Sequence, residues 1–159
     1  MPVLKPRSTS QLSIALYQPD IPQNTGTILR MGACLGVKVH IIEPTGFVLS
    51  DTGLKRAGMD YLEIAAMQRH VSFDAFCEWR IKEQKRLVLL TTKTDKSYAD
   101  LTYDENDILL FGRESSGVPE SVHELVDEQL TIPMVENMRS LNLACSVAMV
   151  AGEALRQIG

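Results

Sequence analysis

Short apolar runs of strand length recur along the chain, separated by segments in which apolar residues return at helical spacing. The strand-like runs are Leu12–Tyr17, Val37–Ile42, Leu87–Thr91, Ile108–Phe111 and Leu130–Ile132. The helix-like segments are Thr27–Leu35, Asp51–Gly58, Ser72–Gln84 and Ser140–Gln157. The pattern of Tyr61–Met67 is ambiguous, and a strand is one interpretation of it. Strands that alternate with helices predict an α/β protein with a mostly parallel sheet.

Prolines, glycines and a serine mark where these elements are expected to begin and end. Pro19 and Pro22 follow the first strand, and we expect no regular structure there because proline has no N–H group. Gly36 is predicted to end the first helix. Ser72 is predicted to be the N-cap of a later helix, because its hydroxyl can accept a hydrogen bond from a free backbone N–H group.

The last helix is apolar on every side over more than two turns. Within Leu143–Ala151 the only polar residue is Ser146. A helix of this kind must be covered all round, and one side can pack on the sheet. A small domain has little left to cover the other side, which favours a homodimer formed through this helix. The alternative is that loops of the same chain wrap it.

Size and composition indicate a single folded domain. The chain has 159 residues, of which 45% are hydrophobic and 23% charged, values typical of a globular protein and not of a disordered one. We expect a flexible tail over residues 1–11 and one domain over residues 12–159. The formal net charge of −4 argues against a protein that coats nucleic acid, although a local basic patch is compatible with it.

The cysteines and the apolar runs bear on where the protein works. Its three cysteines form no Cys-x-x-Cys pair, which is typical of reduced thiols and not of a disulfide framework or a zinc site. The N-terminus has no signal-peptide pattern, and no apolar run reaches the length of about 18 residues that a membrane span needs. We therefore expect a cytoplasmic protein that binds no membrane.

Several familiar ligand sites are excluded by their missing residues. The segment Gly112–Gly117 has the glycines of a phosphate-binding loop, but Val118 and Pro119 stand where lysine and serine or threonine are required. No G-x-G-x-x-G follows a strand, and there is no G-x-S-x-G nucleophile elbow. The three histidines are isolated in the sequence, so no metal is expected.

Three polar loops that contain glycine, asparagine or serine each follow a buried strand. They are 22–26 with Arg30 one turn further on, 111–119, and 132–143. Open α/β sheets hold ligands at the carboxyl ends of their strands, where these loops are expected to lie. Taken singly, each loop has an ordinary explanation: Asn24 as a helix cap, Glu114 as a solvated carboxylate, and Ser140 as an N-cap followed by Asn142 in the first turn.

Taken together and in this order, the loops resemble motifs of the SPOUT methyltransferases. The matching patterns are N-x-G-x-x-x-R at 24–30, F-G-x-E-x-x-G-x-P at 111–119, and I-P-M followed by R-S-L-N-L within 132–143. The segments 40–47 and 56–61 also resemble the small TrmL/YibK-type tRNA 2′-O-methyltransferases of the TrmH-like branch. The resemblance covers the chain from about Leu12 to Ile158 and identifies it as a member of this group.

The resemblance implies a fold and a cofactor. The fold is a SPOUT-type α/β knot, with a mostly parallel sheet flanked by helices and a C-terminal trefoil knot. The cofactor is S-adenosylmethionine, which leaves as S-adenosylhomocysteine, and no metal is implied. The positions that carry over to cofactor binding are Leu90, Gly112, Ile132 and Ser140. The family also forms dimers on the C-terminal helix.

The resemblance further implies the reaction and its residues. Arg30 is expected to grip the phosphate beside the target ribose and to stabilise charge that develops on the 2′-oxygen. Asn24 would orient Arg30 or the ribose, Glu114 would fix the second loop or pair with Arg30, and Asn142 would anchor the third loop. The expected reaction is methylation of the wobble ribose at position 34, a cytidine or modified uridine, in leucine tRNAs.

Binding of the tRNA anticodon stem-loop needs a basic patch on this acidic chain. The candidates are Lys55, Arg56, Arg113 and Arg139, together with Lys38 and His70. Three other functions stay open: a 2′-O-methyltransferase that acts on rRNA or another tRNA site, a non-catalytic RNA-binding factor, and an unrelated nucleotide-binding domain.

Overall fold

The computed structural model describes residues 11–56, 58–60, 63–64, 66–138 and 140–159. The strands are β1 (Ser13–Tyr17), β2 (Lys38–Ile42), β3 (Met67–His70), β4 (Arg86–Leu90), β5 (Asp107–Phe111) and β6 (Glu128–Leu130). The α-helices are α1 (Pro22–Leu35), α2 (Asp51–Arg56), α3 (Phe73–Lys82), α4 (Glu120–Leu125) and α5 (Leu143–Ile158), and a single 3₁₀ turn spans Tyr98–Asp100. Apart from Gln11, the predicted N-terminal tail lies outside the described residues.

Six strands form one sheet in the order β3-β2-β1-β5-β4-β6, and every described pair of neighbours is parallel. The prediction of an α/β fold with a mostly parallel sheet is therefore confirmed. Strands β1 and β5 are neighbours although they are distant in sequence. Because parallel strands end at the same edge, the segments after β1, β4, β5 and β6 all emerge on one side of the molecule.

The sheet is covered on both faces, as its continuous apolar strands require. Alternate residues of β5 belong to two separate cores: Leu109 packs in the cluster that contains residues of α1 and α5, and Ile108 in the cluster that contains residues of α3 and α4. This division follows from the strand geometry, in which successive side chains point to opposite faces. All five residues of β1 and of β5 are buried.

Helix α1 begins five residues earlier than the sequence predicted. Pro22 is its first residue, and the preceding Ile21 is extended with φ −115°. The first N–H group of a helix has no partner within the helix, so a proline is well tolerated at this position. The expectation of irregular structure up to Gly26 is therefore wrong. The predicted end is confirmed, because Gly36 adopts a left-handed conformation with φ 69°.

Two strands and one short helix also differ from the sequence predictions. Strand β3 begins at Met67, where the ambiguous run was expected to end, and Tyr61, Leu62 and Ala65 of that run lie outside the described residues. Strand β6 ends at Leu130 and does not reach Ile132. Helix α4 was not predicted, because its six residues are too short to show a helical period. The predicted Ser72 cap is confirmed by a 3.0 Å hydrogen bond from the Ala75 N–H group.

Helix α5 packs on the sheet with one face and leaves an apolar face exposed. Val147, Val150 and Ala151 are buried, whereas Ala148 and Met149 are exposed. On the exposed face a Cβ atom added to Gly152 would have no neighbour within 4 Å. The described residues of the same chain therefore do not wrap this side of the helix. Separately, no helix in the described ranges combines the length and apolar character needed to cross a bilayer.

Two histidines are buried together beneath helix α3. His40 Nδ1 and His70 Nε2 are 2.9 Å apart, and both rings contact Phe76 and Trp79. Burial lowers the pKa of His40 to about 3, and repulsion from His70, Lys38 and Lys85 acts in the same direction. Burial also lowers the pKa of His70, again assisted by Lys38. His70 had been a candidate RNA contact, and its exposed fraction of 6% shows that prediction to be wrong.

The histidine pair predicts a loss of stability in mild acid. An unfolded histidine binds a proton near pH 6.5, whereas folded His40 binds one only near pH 3, so acid favours the unfolded chain. We expect His40 alone to lower the free energy of unfolding by about 2 kcal/mol between pH 7.5 and pH 5. Urea titrations at both pH values measure this change. A His40→Gln variant should show a smaller pH dependence, and an equal dependence in both proteins would contradict the prediction.

Candidate functional site

The segments that follow β1, β4, β5 and β6 enclose a hollow of about 520 Å³ at the carboxyl edge of the sheet. All four positions expected to bind the cofactor line it: Leu90, Gly112, Ile132 and Ser140. The polar side chains of Asn24, Glu114 and Asn142 line the same hollow. Its volume is within the range of about 300–1,000 Å³ that is typical of small-molecule sites. The three segments singled out in the sequence, of which 22–26 begins α1, therefore meet at one place.

Asn142 joins the third loop to the first turn of α1, where Asn24 lies. Its side-chain amide donates a 3.0 Å hydrogen bond to Asn24 Oδ1. Its Oδ1 accepts a 3.2 Å hydrogen bond from the Cys145 N–H group, which makes Asn142 the N-cap of α5. The reading of Ser140 as the cap, with Asn142 in the first turn, is therefore wrong. Because Ser140 makes no cap, it stands free of the helix among the residues that line the hollow.

The second loop is a tight turn that brings backbone atoms to the wall of the hollow. Arg113 and Gly117 exchange two backbone hydrogen bonds, of 3.0 and 2.9 Å, and Gly117 has a positive φ of 66°. A Cβ atom at Gly112 would lie 2.6 Å from the backbone of Gly117. Only glycine fits at position 112 without moving the turn, and Gly112 also lines the hollow.

A pair of carboxyl groups ties this second loop to the end of β1. The Asp20 N–H group donates a 2.9 Å hydrogen bond to Glu114 Oε2, and the Ser115 hydroxyl bonds to Asp20 Oδ2. A hydrogen bond from the Glu114 carboxyl lowers the pKa of Asp20 to about 2, assisted by Ser115 and Arg113. Burial raises the pKa of Glu114, and the bond with Asp20 raises it further. The two residues therefore hold the second loop against the segment that follows β1.

Arg30 is not among the residues that line this hollow. It lines a second cavity of about 630 Å³, together with Pro22, Gln23, Gly26, Thr27, Met31 and Met59. Its guanidinium is 2.9 Å from Glu63 Oε1, and its side chain is 60% exposed. The alternative in which Glu114 pairs with Arg30 is wrong, because Glu114 is engaged with Asp20. Asn24, which was expected to orient Arg30 or the ribose, is hydrogen-bonded to Asn142 instead.

Of the predicted RNA contacts, Arg113 lines the hollow, whereas the other exposed candidates in the described residues lie on α2 and β2. Lys55 and Arg56 are exposed at the end of α2, and Lys38 is exposed at the start of β2. Arg113 lines the hollow, and its guanidinium is 3.5 Å from both Asp20 and Gln18, so it also contributes to the contact between the loops. Arg139 lies outside the described residues.

Two residues of the hollow had no signal in the sequence. Thr91 Oγ1 is 2.9 Å from His123 Nε2, and His123 Nδ1 is 3.3 Å from the Pro119 carbonyl oxygen. A carbonyl oxygen only accepts, so Nδ1 carries the proton and Nε2 accepts from the Thr91 hydroxyl. This arrangement fixes the ring of a histidine that is 6% exposed. The described part of the chain contains no group of three or more His, Cys, Asp or Glu side chains placed to hold a metal ion.

Comparisons with known proteins agree with this arrangement. A sequence model described as the SpoU rRNA Methylase family matches residues 11–152. A relative from Beijerinckia indica, named tRNA (cytidine(34)-2′-O)-methyltransferase, is 60% identical over 146 residues that cover 92% of this chain and 91% of the relative.

Solved structures share the fold over the whole chain. One, described as "Structural insights into the 2-OH methylation of C/U34 on tRNA", is 42% identical with a TM-score of 0.85, and covers 95% of this chain and 98% of its own. An AdoMet-bound rRNA methyltransferase from Sinorhizobium meliloti shares the fold at 23% identity and a TM-score of 0.82, covering 98% of this chain and 59% of its own. Both the sequence match and the shared architecture lead to one conclusion: the chain belongs to the SpoU methylase family.

Proposed function

We propose that the protein transfers a methyl group from S-adenosylmethionine to the ribose 2′-hydroxyl of nucleotide 34 in tRNA, where the base is cytidine or a modified uridine. The observation that carries the proposal is the hollow at which three motif loops of a SpoU-family chain converge. Relatives at 60% and 43% identity are named for methylation of cytidine 34, which supports this substrate over rRNA. We further propose that leucine tRNAs are the substrates.

The residues that line the hollow fit the proposed cofactor. Leu90 and Ile132 offer apolar walls and backbone groups to an adenine ring, and Gly112 adds its backbone to the lining of the hollow. Ser140 adds a hydroxyl at the rim. Bound S-adenosylmethionine supplies an electrophilic methyl group on sulfur and leaves as S-adenosylhomocysteine. The AdoMet-bound relative from Sinorhizobium meliloti also supports this assignment.

Arg30 is the proposed catalytic residue. Arginine stays protonated in proteins, so it acts as a cation and not as a base. Its exposed guanidinium can hold the phosphate next to the target ribose and stabilise negative charge on the 2′-oxygen as the proton leaves to the phosphate or to another acceptor. Asn24, Asn142 and Glu114 maintain the contacts between the loops, and this fixes the geometry in which the hydroxyl meets the methyl group.

The proposed RNA surface combines Lys55, Arg56, Arg113 and Arg139, which would contact the anticodon stem-loop. We also propose a homodimer through α5, because its apolar face is exposed in the single chain. A monomer in analytical ultracentrifugation would contradict this assembly.

The family relationship supports a trefoil knot in the C-terminal segment. A tRNA substrate together with three free cysteines supports a cytoplasmic location.

A methyl-transfer assay tests the proposal directly. Purified protein is incubated with radiolabelled S-adenosylmethionine and either total tRNA or rRNA, and the labelled nucleotide is then mapped. We expect label on the ribose of nucleotide 34 in leucine tRNAs. Label confined to rRNA or to another tRNA position would replace the proposed substrate. Absence of transfer to any RNA, with intact cofactor binding by calorimetry, would contradict the enzymatic function.

A further inference from the structure

We propose that Glu63 is the positioning residue for Arg30, holding the guanidinium over the second cavity so that it meets the RNA in a fixed orientation. The inference rests on the proposed function for the role of Arg30, and on the contacts of Glu63 for the rest. Neither the motif loops nor the sequence patterns pointed to Glu63.

The ion pair between these residues joins two separate parts of the chain. Arg30 Nη2 and Glu63 Oε1 are 2.9 Å apart, within the range of a charge-assisted hydrogen bond. The two side chains are unequal: Glu63 is 9% exposed and Arg30 is 60% exposed. A guanidinium has five N–H donors, so a contact through one nitrogen leaves donors for a phosphate or a ribose oxygen. The buried carboxylate is therefore the fixed member of the pair, and the exposed arginine is the member that can contact RNA.

The carboxylate is fixed by the backbone on its other side. Glu63 Oε2 is 3.4 Å from the Asp60 N–H group, and Asp60 Oδ1 accepts a 2.9 Å hydrogen bond from the Glu63 N–H group. This reciprocal pattern is a capping box, in which two residues three positions apart satisfy each other's N–H groups. Both Glu63 oxygens are therefore engaged, and the side chain has little freedom to swing away from Arg30.

The turn that carries Glu63 is itself anchored to the core. The Met59 N–H group donates a 3.1 Å hydrogen bond to the Leu54 carbonyl at the end of α2. Met59 is 7% exposed and packs in the core cluster that includes Leu54. Met59 also lines the second cavity beside Arg30. Through this turn, the helix that bears Lys55 and Arg56 is coupled to the arginine of the proposed active site.

This pair differs from an ordinary surface ion pair. Arg156 and Glu153, whose side chains are 73% and 15% exposed, lie one turn apart on the same helix, so that pair adds little beyond local helix stability. Glu63 instead reaches Arg30 from a different segment of the chain. Without Arg30, its buried carboxylate would lose the cation with which it is paired. An unpaired buried carboxylate is unfavourable, so the pair restrains both groups.

The test distinguishes the effect of the Glu63 charge from the effect of its capping hydrogen bonds with Asp60. Glu63→Gln preserves an oxygen for the cap but removes the charge, and we expect kcat for tRNA methylation to fall by about 10-fold to 100-fold. The affinity for S-adenosylmethionine should stay unchanged. Asp60→Ala removes the oxygen that accepts from the Glu63 N–H group but keeps the Asp60 N–H group that holds the Glu63 carboxylate, so its kcat should stay closer to that of the unmodified protein. Glu128→Gln removes the carboxylate of the surface pair with Lys96 and is the matched charge control.

Two further measurements keep the outcome decisive. In an Arg30→Lys background, Glu63→Gln should lower kcat by a smaller factor, because coupled residues are not additive. Side-chain ¹⁵N relaxation should show an ordered Arg30 Nε–H group that becomes mobile in Glu63→Gln, a readout that needs no RNA. Equal order and kcat within twofold in Glu63→Gln would overturn the inference. If the unmodified protein methylated no tRNA while Arg30 lost order in the variant, the proposed function would fail and the positioning contact would stand.

Discussion

Replacing Arg30 with alanine is expected to lower the rate of methyl transfer by about 100-fold to 1,000-fold, the range found when one preorganised donor is removed from a developing oxyanion. The side chain is 60% exposed and lies outside the hollow proposed for the cofactor, so binding of S-adenosylmethionine should be unaffected. Single-turnover kinetics with leucine tRNA, combined with calorimetry for the cofactor, separates the two effects.

The matched control for this experiment is Arg69→Ala. Arg69 also forms an ion pair with a glutamate, at 2.6 Å from Glu43, and its side chain is 40% exposed. Loss of that pair should change turnover by less than threefold. Unchanged turnover in Arg30→Ala would remove the residue from the mechanism, and loss of cofactor binding would show that Arg30 supports the hollow and not the chemistry.

Replacing Asp107 with alanine is expected to lower the free energy of unfolding by about 2–3 kcal/mol, because the charge-assisted hydrogen bonds of a buried carboxylate are lost while the Arg86 cation left behind is one-third exposed to water. Asp107 is fully buried, and its two oxygens are 2.6 and 2.7 Å from the Arg86 guanidinium. The Asp104 N–H group donates a further 2.8 Å hydrogen bond to the same carboxylate. Hydrogen bonding to Asp107 also raises the pKa of Arg86.

Urea unfolding at neutral pH measures this loss. Glu153→Ala is a suitable comparison, since it removes an ion pair within one helix whose arginine is 73% exposed, for which only a small change is expected. A loss below about 1 kcal/mol for Asp107→Ala would mean that the Arg86–Asp107 pair contributes no more to the free energy of unfolding than the Arg156–Glu153 pair does.

The sequence predicted those parts of the fold that depend on local pattern. Continuous apolar runs marked β4 and β5, and Ser72 and Gly36 marked helix ends, because each of these signals acts within a few residues. The start of α1 was missed because proline breaks a helix in its interior but suits its first position. The loops could be assigned to one edge of the sheet because all parallel strands end there.

Long-range contacts within the site could not be predicted in the same way. The pairing of Glu114 with Asp20 and of Asn142 with Asn24 depends on β1 lying next to β5, which no local pattern encodes. The spacing of Asp60 and Glu63 is a recognisable capping signal, but the contact with Arg30 exists only in the folded chain. Whether an arginine forms an ion pair likewise depends on tertiary packing and not on local sequence.

Asn142 has a consequence for how this protein can change. One amide both starts the C-terminal helix and bridges two loops of the proposed active site. A substitution that kept an equivalent cap, such as aspartate or serine, would lose the amide N–H group that reaches Asn24. A substitution at this position therefore affects both the stability of the helix and the geometry of the proposed active site. Changes meant to raise thermostability are better made elsewhere on the helix.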